Sequence, residues 1–206
     1  MEQLEGDTEV VLVDGGSSDG TIDLILKENR AFTLVKSGRS RAGQMNQGAR
    51  NSKGDILLFL HADSILPANA VELIEKTLAD GEFIGGGFSL AIDEKAFIYR
   101  LIAYFSNLRV RFFGQFFGDQ AIFIRRDIFQ ELDGFKDLEL MEDMDLSRRA
   151  RERGKMLQLP QEVVTSARRW KRNGVLRTIW LMQKIKLLYF LGVHPDRLSE
   201  MYPDAR

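Results

Sequence analysis

Acidic residues stand at three places where they could bind a cation, contact a nucleotide or accept a proton. Asp14 ends one apolar run, Asp63 follows another with His61 two positions before it, and Glu142 and Asp143 begin a group of three acids within four residues. Crowded carboxylates raise the pKa of one member and leave another able to accept a proton from a hydroxyl group. The same acids also fit structural roles, because Asp is frequent in turns and carboxylates are favourable at a helix start.

Two apolar runs position the first two of these acids. Residues 9–14 and 55–60 lack the alternation of a half-exposed strand, which favours strands buried in a parallel sheet, with a short buried helix as the alternative for the second. A helical pattern follows at residues 67–81. Ligands of open α/β sheets bind outside the carboxyl ends of the strands. Asp14 and Asp63 are therefore predicted to share one rim of the sheet.

The order of elements predicts the fold class. Strands alternate with helices through the first part of the chain, which is typical of an α/β protein with a doubly wound, mostly parallel sheet. Residues 83–92 carry three glycines and alternate only partly, so an irregular or bulged strand is expected there. We divide the chain into a main domain, residues 1–174, and a C-terminal helical extension, residues 175–206.

The extension contains an unusually apolar helix, predicted at residues 175–193, in which only Arg177, Lys184 and Lys186 are charged. These charges interrupt it too often for a comfortable membrane span. Docking on the main domain, a dimer contact and an interfacial position on a membrane remain alternatives.

Basic side chains crowd two other places. Arg39 and Arg41 flank Ser40 at the amino end of a predicted helix, where the helix dipole disfavours cations. A bound anion would resolve that conflict, and two solvated arginines are the alternative. Residues 168–172 contain four cations and one indole ring, which fits either an anion clamp or a solvated basic turn, since arginine forks match phosphate geometry.

An aromatic segment lies between these two basic places. Residues 97–117 contain six Phe and two Tyr. Because aromatic rings dominate buried area, we expect most of these rings in the core, with an aromatic wall for an acceptor as the alternative.

Composition removes several classes of function. The net charge of −1 gives no general case for nucleic acid binding, and the absence of Cys removes disulfides, thiolate metal sites and thiol nucleophiles. The two histidines are far apart, which disfavours a His-rich zinc site. The first residues have neither a basic start nor an apolar core, so no signal peptide is predicted and a cytoplasmic location is the default.

Taken together, these motifs resemble those of the family 2 inverting glycosyltransferases, which bind nucleotide sugars and have the GT-A fold. The resemblance is carried by VLVDGGSSDGT at 11–21, RAGQMNQGARNSKGDILLFLHADS at 41–64, FGDQAIFIRR at 117–126, MEDMDLSRRARERG at 141–154 and ARRW at 167–170. The five strings occur in order and cover nearly the whole chain. Each alone is weak, and together they are specific for the family.

The resemblance implies a role for each matched position. Asp14 would contact the nucleobase with Arg41 nearby, Asp63 would bind a divalent cation, Mn²⁺ or Mg²⁺, and Asp143 would be the catalytic base. The remaining implied site residues are Glu142 beside the base, Gly118, Asp119 and Gln120 in substrate binding, and Arg168, Arg169 and Trp170 closing over the diphosphate.

Two departures from the family pattern are visible. The usual metal motif has an acid where this chain has His61, so this imidazole either joins Asp63 as a metal ligand or orients that carboxylate or a phosphate. The strand and helix with which the family usually begins are also missing, so the chain resembles a GT-A domain that starts roughly thirty residues late. The missing strand would be central in the sheet.

The sequence therefore predicts an enzyme that transfers a sugar, with inversion, from a nucleotide-diphosphate donor to a hydroxyl acceptor. A uridine diphosphate sugar is the predicted donor. The alternatives are a nucleotidyltransferase of similar fold and a non-catalytic nucleotide-sugar-binding or assembly protein. No nucleic acid partner is predicted. Peripheral contact with the inner membrane face and self-association through the last helix are left open.

Overall fold

The computed structural model describes residues 8–28 and 31–202 of the chain. Its strands are β1 (Val11–Asp14), β2 (Thr33–Lys36), β3 (Ile56–Leu58), β4 (Ser64–Ile65), β5 (Phe83–Ile92), β6 (Phe123–Arg125) and β7 (Lys155–Thr165). Its helices are α1 (Thr21–Ile25), α2 (Arg41–Arg50), α3 (Ala70–Ala79), α4 (Phe97–Phe113), α5 (Arg126–Glu131), α6 (Glu142–Arg151), α7 (Arg168–Asn173), α8 (Val175–Phe190) and α9 (Pro195–Glu200), with a short 3-10 helix at Gly118–Gln120.

The predicted α/β architecture is confirmed, and its sheet is mixed. Strands β1 and β2 form a parallel pair, and the other strands form a sheet in the order β3-β6-β5-β7-β4. The long β5 and β7 pair is parallel, so most paired residues belong to parallel pairs. Strands β4 and β6 are antiparallel to their neighbours, a direction that the apolar pattern did not specify.

Helix α2 covers both groups of strands because its inward residues are small. A Cβ on Gly48 would lie 3.3 Å from Val13 Cγ2 of β1. Ala42 and Ala49 belong to the core cluster that contains Leu57 of β3. Within the described residues, β1 and β3 do not pair with each other. The absence of the family's usual first strand stays a prediction.

Glycines allow the neighbours of β5 to approach closely. A Cβ on Gly86 would overlap the carbonyl oxygen of Leu157 in β7, and a Cβ on Gly85 would overlap that of Phe123 in β6. The pairing of β5 with β7 shifts register at two points, between Phe83 and Gly85 and between Phe88 and Ser89. The predicted irregular strand is thus confirmed, and it brings β6 and β7 against the centre of the sheet.

The prediction that the aromatic segment belongs mainly to the core is wrong. Tyr99 and Phe116 are buried, whereas most of the other rings are exposed, namely Phe97, Tyr104, Phe105, Phe112 and Phe113. The physical reason is that most of these residues form one helix, α4, and a helix packed on a sheet buries only one stripe of its surface. Asn107 fastens this stripe by exchanging two hydrogen bonds with the backbone of Leu90 in β5.

Helix α8 packs beside the acidic start of α6. Ile185 of α8 is buried in a cluster with Met141 and Met144, and α9 contributes Leu198 to the same cluster. In the part of the chain that the structure describes, no helix is long and apolar enough to cross a membrane. The division into a main domain and an extension remains a prediction.

Candidate active site

The start of α6 presents one carboxylate whose orientation is fixed from two sides. Asp143 Oδ2 accepts a hydrogen bond of 2.7 Å from the backbone N–H of Gly118, and Oδ1 accepts one of 2.7 Å from that of Met144. The 3-10 helix and α6 therefore meet at this side chain. A carboxylate has about four acceptor positions, so two amide donors leave capacity for a substrate hydroxyl.

The other two acids of this group have different environments. Glu142 is buried, and burial together with the neighbouring Asp143 charge raises its pKa to about 7. Asp145 is also buried, but Arg149 Nε lies 2.6 Å from its Oδ2. Arg149 in turn donates to backbone carbonyls of Leu132 and Gly134. The tertiary structure thus divides three similar acids into an oriented one, a protonatable one and a structural one.

His61 lies against the 3-10 helix. A Cβ on Gly118 would overlap its Nε2, so this glycine makes room for the imidazole. Burial, and next the Arg41 charge, lower the pKa of His61, while the charges of Asp143 and Asp63 oppose them. The ring is therefore neutral at neutral pH. Residues from distant parts of the sequence thus surround one imidazole.

The 3-10 helix also contributes Asp119 and Gln120, which face into the protein. Burial raises the pKa of Asp119 to about 6, and the Arg109 charge opposes that effect. Asp119 Oδ1 is buried without a hydrogen-bond partner among the described residues. Gln120 is fully buried, and its Oε1 accepts from Arg109 Nη2 at 3.0 Å and from the Phe117 amide at 3.3 Å. Gln120 therefore supports the turn that holds Asp143.

Sequence reasoning assigned no role to Arg109, Phe117 and Lys186 in the site. The Arg109 guanidinium lies 3.8 Å from the centroid of the Phe117 ring, and Lys186 Nζ of α8 lies 6.0 Å from it. Burial and the Arg109 charge lower the pKa of Lys186 to about 8. The sequence signal that could have identified Arg109 and Lys186 is that each interrupts an otherwise apolar helical pattern.

Arg168, Arg169 and Trp170 of α7 have three different environments. Arg169 Nη1 donates to Tyr202 Oη at 2.8 Å, and its charge acts on both His61 and Asp119. Arg168 is exposed. Trp170 is buried against Tyr99, with ring centroids 6.4 Å apart.

At the end of β1, the Asp14 carboxylate is held within its own turn. It accepts hydrogen bonds from the Gly16 amide at 3.0 Å and the Ser17 amide at 3.1 Å. Hydrogen bonds from Ser17 are the main reason that the pKa of Asp14 is lowered. Arg41 is the first residue of α2, and its charge acts on His61 and Glu142. The structure thus brings Arg41 toward the acidic cluster.

The side chains near His61 could bind a divalent cation only together with substrate phosphates and water. Asp63 is exposed, and its charge acts on His61. No group of three or more acidic or His side chains that could hold a metal ion occurs among residues 8–28 and 31–202. Mg²⁺ often takes one or two protein carboxylates together with substrate phosphates and water. Asp63, with or without His61, suits that kind of site and would not hold a metal in an all-protein cage.

Solved structures with a similar fold define the class of protein. The mannosyltransferase PcManGT from Pyrobaculum calidifontis, in complex with GDP-Man and Mn²⁺, superposes with a TM-score of 0.64 at 21% identity over 87% of this chain and 52% of its own. S. aureus TarS 1–349 in complex with UDP-GlcNAc superposes with a TM-score of 0.54 at 15% identity over 77% of this chain and 49% of its own. The chain has the GT-A fold.

Sequence comparison assigns the family. The family model for glycosyl transferase family 2 matches residues 1–133. The uncharacterized glycosyltransferase YfnE of Bacillus subtilis (strain 168) is 35% identical over 76 residues, 34% of this chain and 19% of that protein. The poly-beta-1,6-N-acetyl-D-glucosamine synthase of Staphylococcus aureus (strain COL) is 36% identical over 66 residues, 30% of this chain and 16% of that protein. The chain belongs to glycosyl transferase family 2, and its matches span less than a fifth of these two relatives.

Proposed function

We propose that this chain transfers a sugar, with inversion, from a uridine diphosphate sugar to a hydroxyl group of an acceptor. The observation that carries the proposal is the Asp143 carboxylate, fixed at 2.7 Å by the Gly118 amide beside His61 and Asp63. An oriented carboxylate next to a candidate diphosphate site combines the two groups that the reaction needs. Glu142 assists as a buried neighbour and does not contact the acceptor.

Asp143 acts as the general base. The acceptor oxygen attacks the anomeric carbon of the donor, its proton passes to Asp143, and the bond between that carbon and the diphosphate oxygen breaks. Attack from the face opposite the leaving group inverts the configuration at the anomeric carbon. One carboxylate suffices for this route because no covalent sugar intermediate forms.

Positive charge stabilises the departing diphosphate. We assign this role to Arg169 and Arg41, because both charges are near enough to act on His61. Asp63 would hold a divalent cation, which supplies further positive charge at the phosphate oxygens when bound. His61, being neutral, is suited to orient Asp63 or a phosphate without repelling the cation.

The proposed donor is a uridine diphosphate sugar. The two similar structures are complexes with GDP-Man and with UDP-GlcNAc, so both bases are represented among proteins of this fold. Asp14 and the turn after β1 are the proposed nucleobase contacts, Gly118 and Asp119 are proposed on the acceptor side, and Arg168 is proposed near the diphosphate. The buried Gln120 and Trp170 would support these contacts from inside the protein. We also propose a cytoplasmic location, whereas self-association through the last helix stays a prediction of the sequence.

Titration calorimetry of UDP and GDP, each with and without Mn²⁺, tests the donor site. We expect Mn²⁺-dependent binding of UDP that Asp63→Ala weakens by about tenfold or more, since one metal-bridging carboxylate is lost. The exposed Glu75 on α3 offers a matched control, and Glu75→Ala should bind like the wild type. Tighter binding of GDP would overturn the donor assignment. Release of pyrophosphate in turnover would instead identify a nucleotidyltransferase.

A further inference from the structure

Two helices expose apolar stripes that also carry only positive charge. On α8 the exposed residues are Leu176, Arg177, Trp180, Gln183, Lys184, Leu187 and Phe190, with Leu191 following the helix. At 100° per residue these positions occupy an arc of about 140°. Spacing of this kind describes one continuous face. We call this face the α8 stripe.

Helix α4 has a matching face, which we call the α4 stripe. It consists of Phe97, Arg100, Tyr104, Phe105, Arg111 and Phe112, all exposed. These positions also fall within an arc of about 140°. Exposed rings in such number are unusual on a free surface and mark a site of interaction.

The two stripes belong to neighbouring helices. Near their amino ends, Ile102 of α4 and Val175 of α8 pack against the same cluster around Trp170. Toward their carboxyl ends, Arg109 of α4 and Lys186 of α8 both approach the Phe117 ring. These shared contacts indicate that the two helices have the same direction on one side of the protein, and we infer that both stripes act on one partner.

The charge of the stripes indicates the chemistry of that partner. Neither α4 nor α8 contains an Asp or Glu, whereas the stripes carry Arg100, Arg111, Arg177 and Lys184. Any pairing of these stripes between two copies of the chain would bring cations together without an opposing acid, and like charges disfavour such a contact. An anionic partner with an apolar layer beneath its charges removes this conflict.

We propose that the α4 and α8 stripes dock on the surface of an anionic lipid bilayer. Leucine and aromatic side chains would enter the boundary between headgroups and acyl chains, and the cations would contact lipid phosphates, as in interfacial amphipathic helices. The α8 stripe is suited to this by Trp180 and by Lys184, whose Nζ lies 5.3 Å from the Trp180 ring. The docking surface does not depend on the proposed sugar transfer.

The two tryptophans of the chain allow a direct test. Trp180 is 65% exposed and Trp170 is 7% exposed, so a change of polarity at the surface is reported by Trp180. Vesicles of phosphatidylcholine with and without phosphatidylglycerol are added to the full chain at about 0.1 M salt, where the Debye length is about 10 Å. We expect a blue shift of the Trp180 emission and flotation with the anionic vesicles, both weakened by higher salt.

Paired variants locate the surface. Leu187→Gln with Phe190→Gln, and separately Arg177→Gln with Lys184→Gln, should each weaken vesicle binding by about tenfold or more. Leu24 and Leu26 are similarly exposed, at 66% and 63%, outside both stripes. Leu24→Gln with Leu26→Gln is therefore the matched control and should bind like the wild type.

Three results would overturn the proposal. These are no binding to anionic vesicles, equal binding to neutral ones, and equal loss in the control pair. Self-association that disappears in the Leu187→Gln and Phe190→Gln variant, without vesicle binding, would assign the surface to a second copy. Calorimetry with UDP is run on the same samples, so a failure of the donor site is distinguished from a failure of lipid docking.

Discussion

Arg169 Nη1 donates a hydrogen bond of 2.8 Å to Tyr202 Oη, and the guanidinium lies 5.4 Å from the centre of the same ring. Tyr202 is buried in the cluster that contains Met141 and Met144, the residues on either side of Glu142 and Asp143. One tyrosine near the carboxyl end of the described chain therefore contacts both the arginine proposed for the diphosphate and the start of α6.

This relationship predicts a positioning role for Tyr202. Tyr202→Phe keeps the ring and removes the hydroxyl, so Arg169 loses a partner. We expect kcat/KM for the donor to fall by about tenfold or more, because a hydrogen bond to a charged group contributes about 1.5 to 3 kcal/mol and 1.4 kcal/mol is about tenfold. Steady-state kinetics measure this loss. An unchanged kcat/KM would contradict it.

Asp143 and Asp145 of α6 should respond differently to substitution, the first by losing turnover and the second by losing stability. Asp143→Asn keeps one oxygen for the Gly118 amide, turns its NH2 group toward the Met144 amide and cannot take a proton, so kcat should fall by about 10² to 10⁴ while UDP affinity is kept. Kinetics and calorimetry check both expectations, and a melting curve checks that the variant is folded. Unchanged turnover would remove Asp143 as the base.

Asp145→Asn should affect stability instead. It leaves Arg149 without its carboxylate in a buried position, and breaking a buried ion pair costs about 3 kcal/mol or more. Urea unfolding measures the loss. The exposed pair of Arg153 with Glu131 is the matched control, and Glu131→Gln should change stability by less than about 1 kcal/mol.

The close contact between Gly118 and His61 predicts that a substitution of one residue can rescue the stability lost by a substitution of the other. Gly118→Ala places a methyl group where the imidazole lies, so it should lower the melting temperature and weaken UDP binding. His61→Ala removes the obstacle, and the double variant should recover stability relative to Gly118→Ala alone. A double-mutant cycle on unfolding free energies measures the coupling. Additive effects on the free energy of unfolding would show that the contact with His61 is not the reason that Gly118→Ala is destabilising.

Glu142 predicts a dependence of stability on pH. Its pKa rises from 4.5 to about 7 on folding, so its contribution is complete below about pH 4.5 and is lost as the pH rises through 7. Glu142→Gln cannot ionise, and the wild type should lose stability relative to it by on the order of 1 to 3 kcal/mol across that range. Urea unfolding from pH 4.5 to 8 measures the difference.

The wild type has to be compared with Glu142→Gln because the titration of His61 changes stability with pH in the opposite direction. The pKa of His61 is lowered from 6.5, so its contribution is present above that pH and is lost as the pH falls. That effect is common to wild type and variant and cancels in the comparison. If the free energies of unfolding of the wild type and of Glu142→Gln change in parallel with pH, ionisation of Glu142 does not destabilise the folded protein.

The local pattern of the sequence determined much of the fold. Apolar runs, glycines and helix signals predicted the strands that carry Asp14 and the irregular strand β5, because these features depend on short-range periodicity. Motif order was sufficient for the family. Among the acids, the helix-start pattern alone did not separate Asp143 from Asp145, which lie two positions apart with the same local chemistry, and the family resemblance made that choice.

Only the tertiary structure decided which side chains meet. The contact of Gly118 with both Asp143 and His61 joins segments that are distant in the chain, and so does the bond between Arg169 and Tyr202. The aromatic residues of α4 were misplaced for the same reason, because which stripe of a helix is buried depends on the sheet beside it. Long-range packing assigns a direction to each side chain, and no local pattern contains that information.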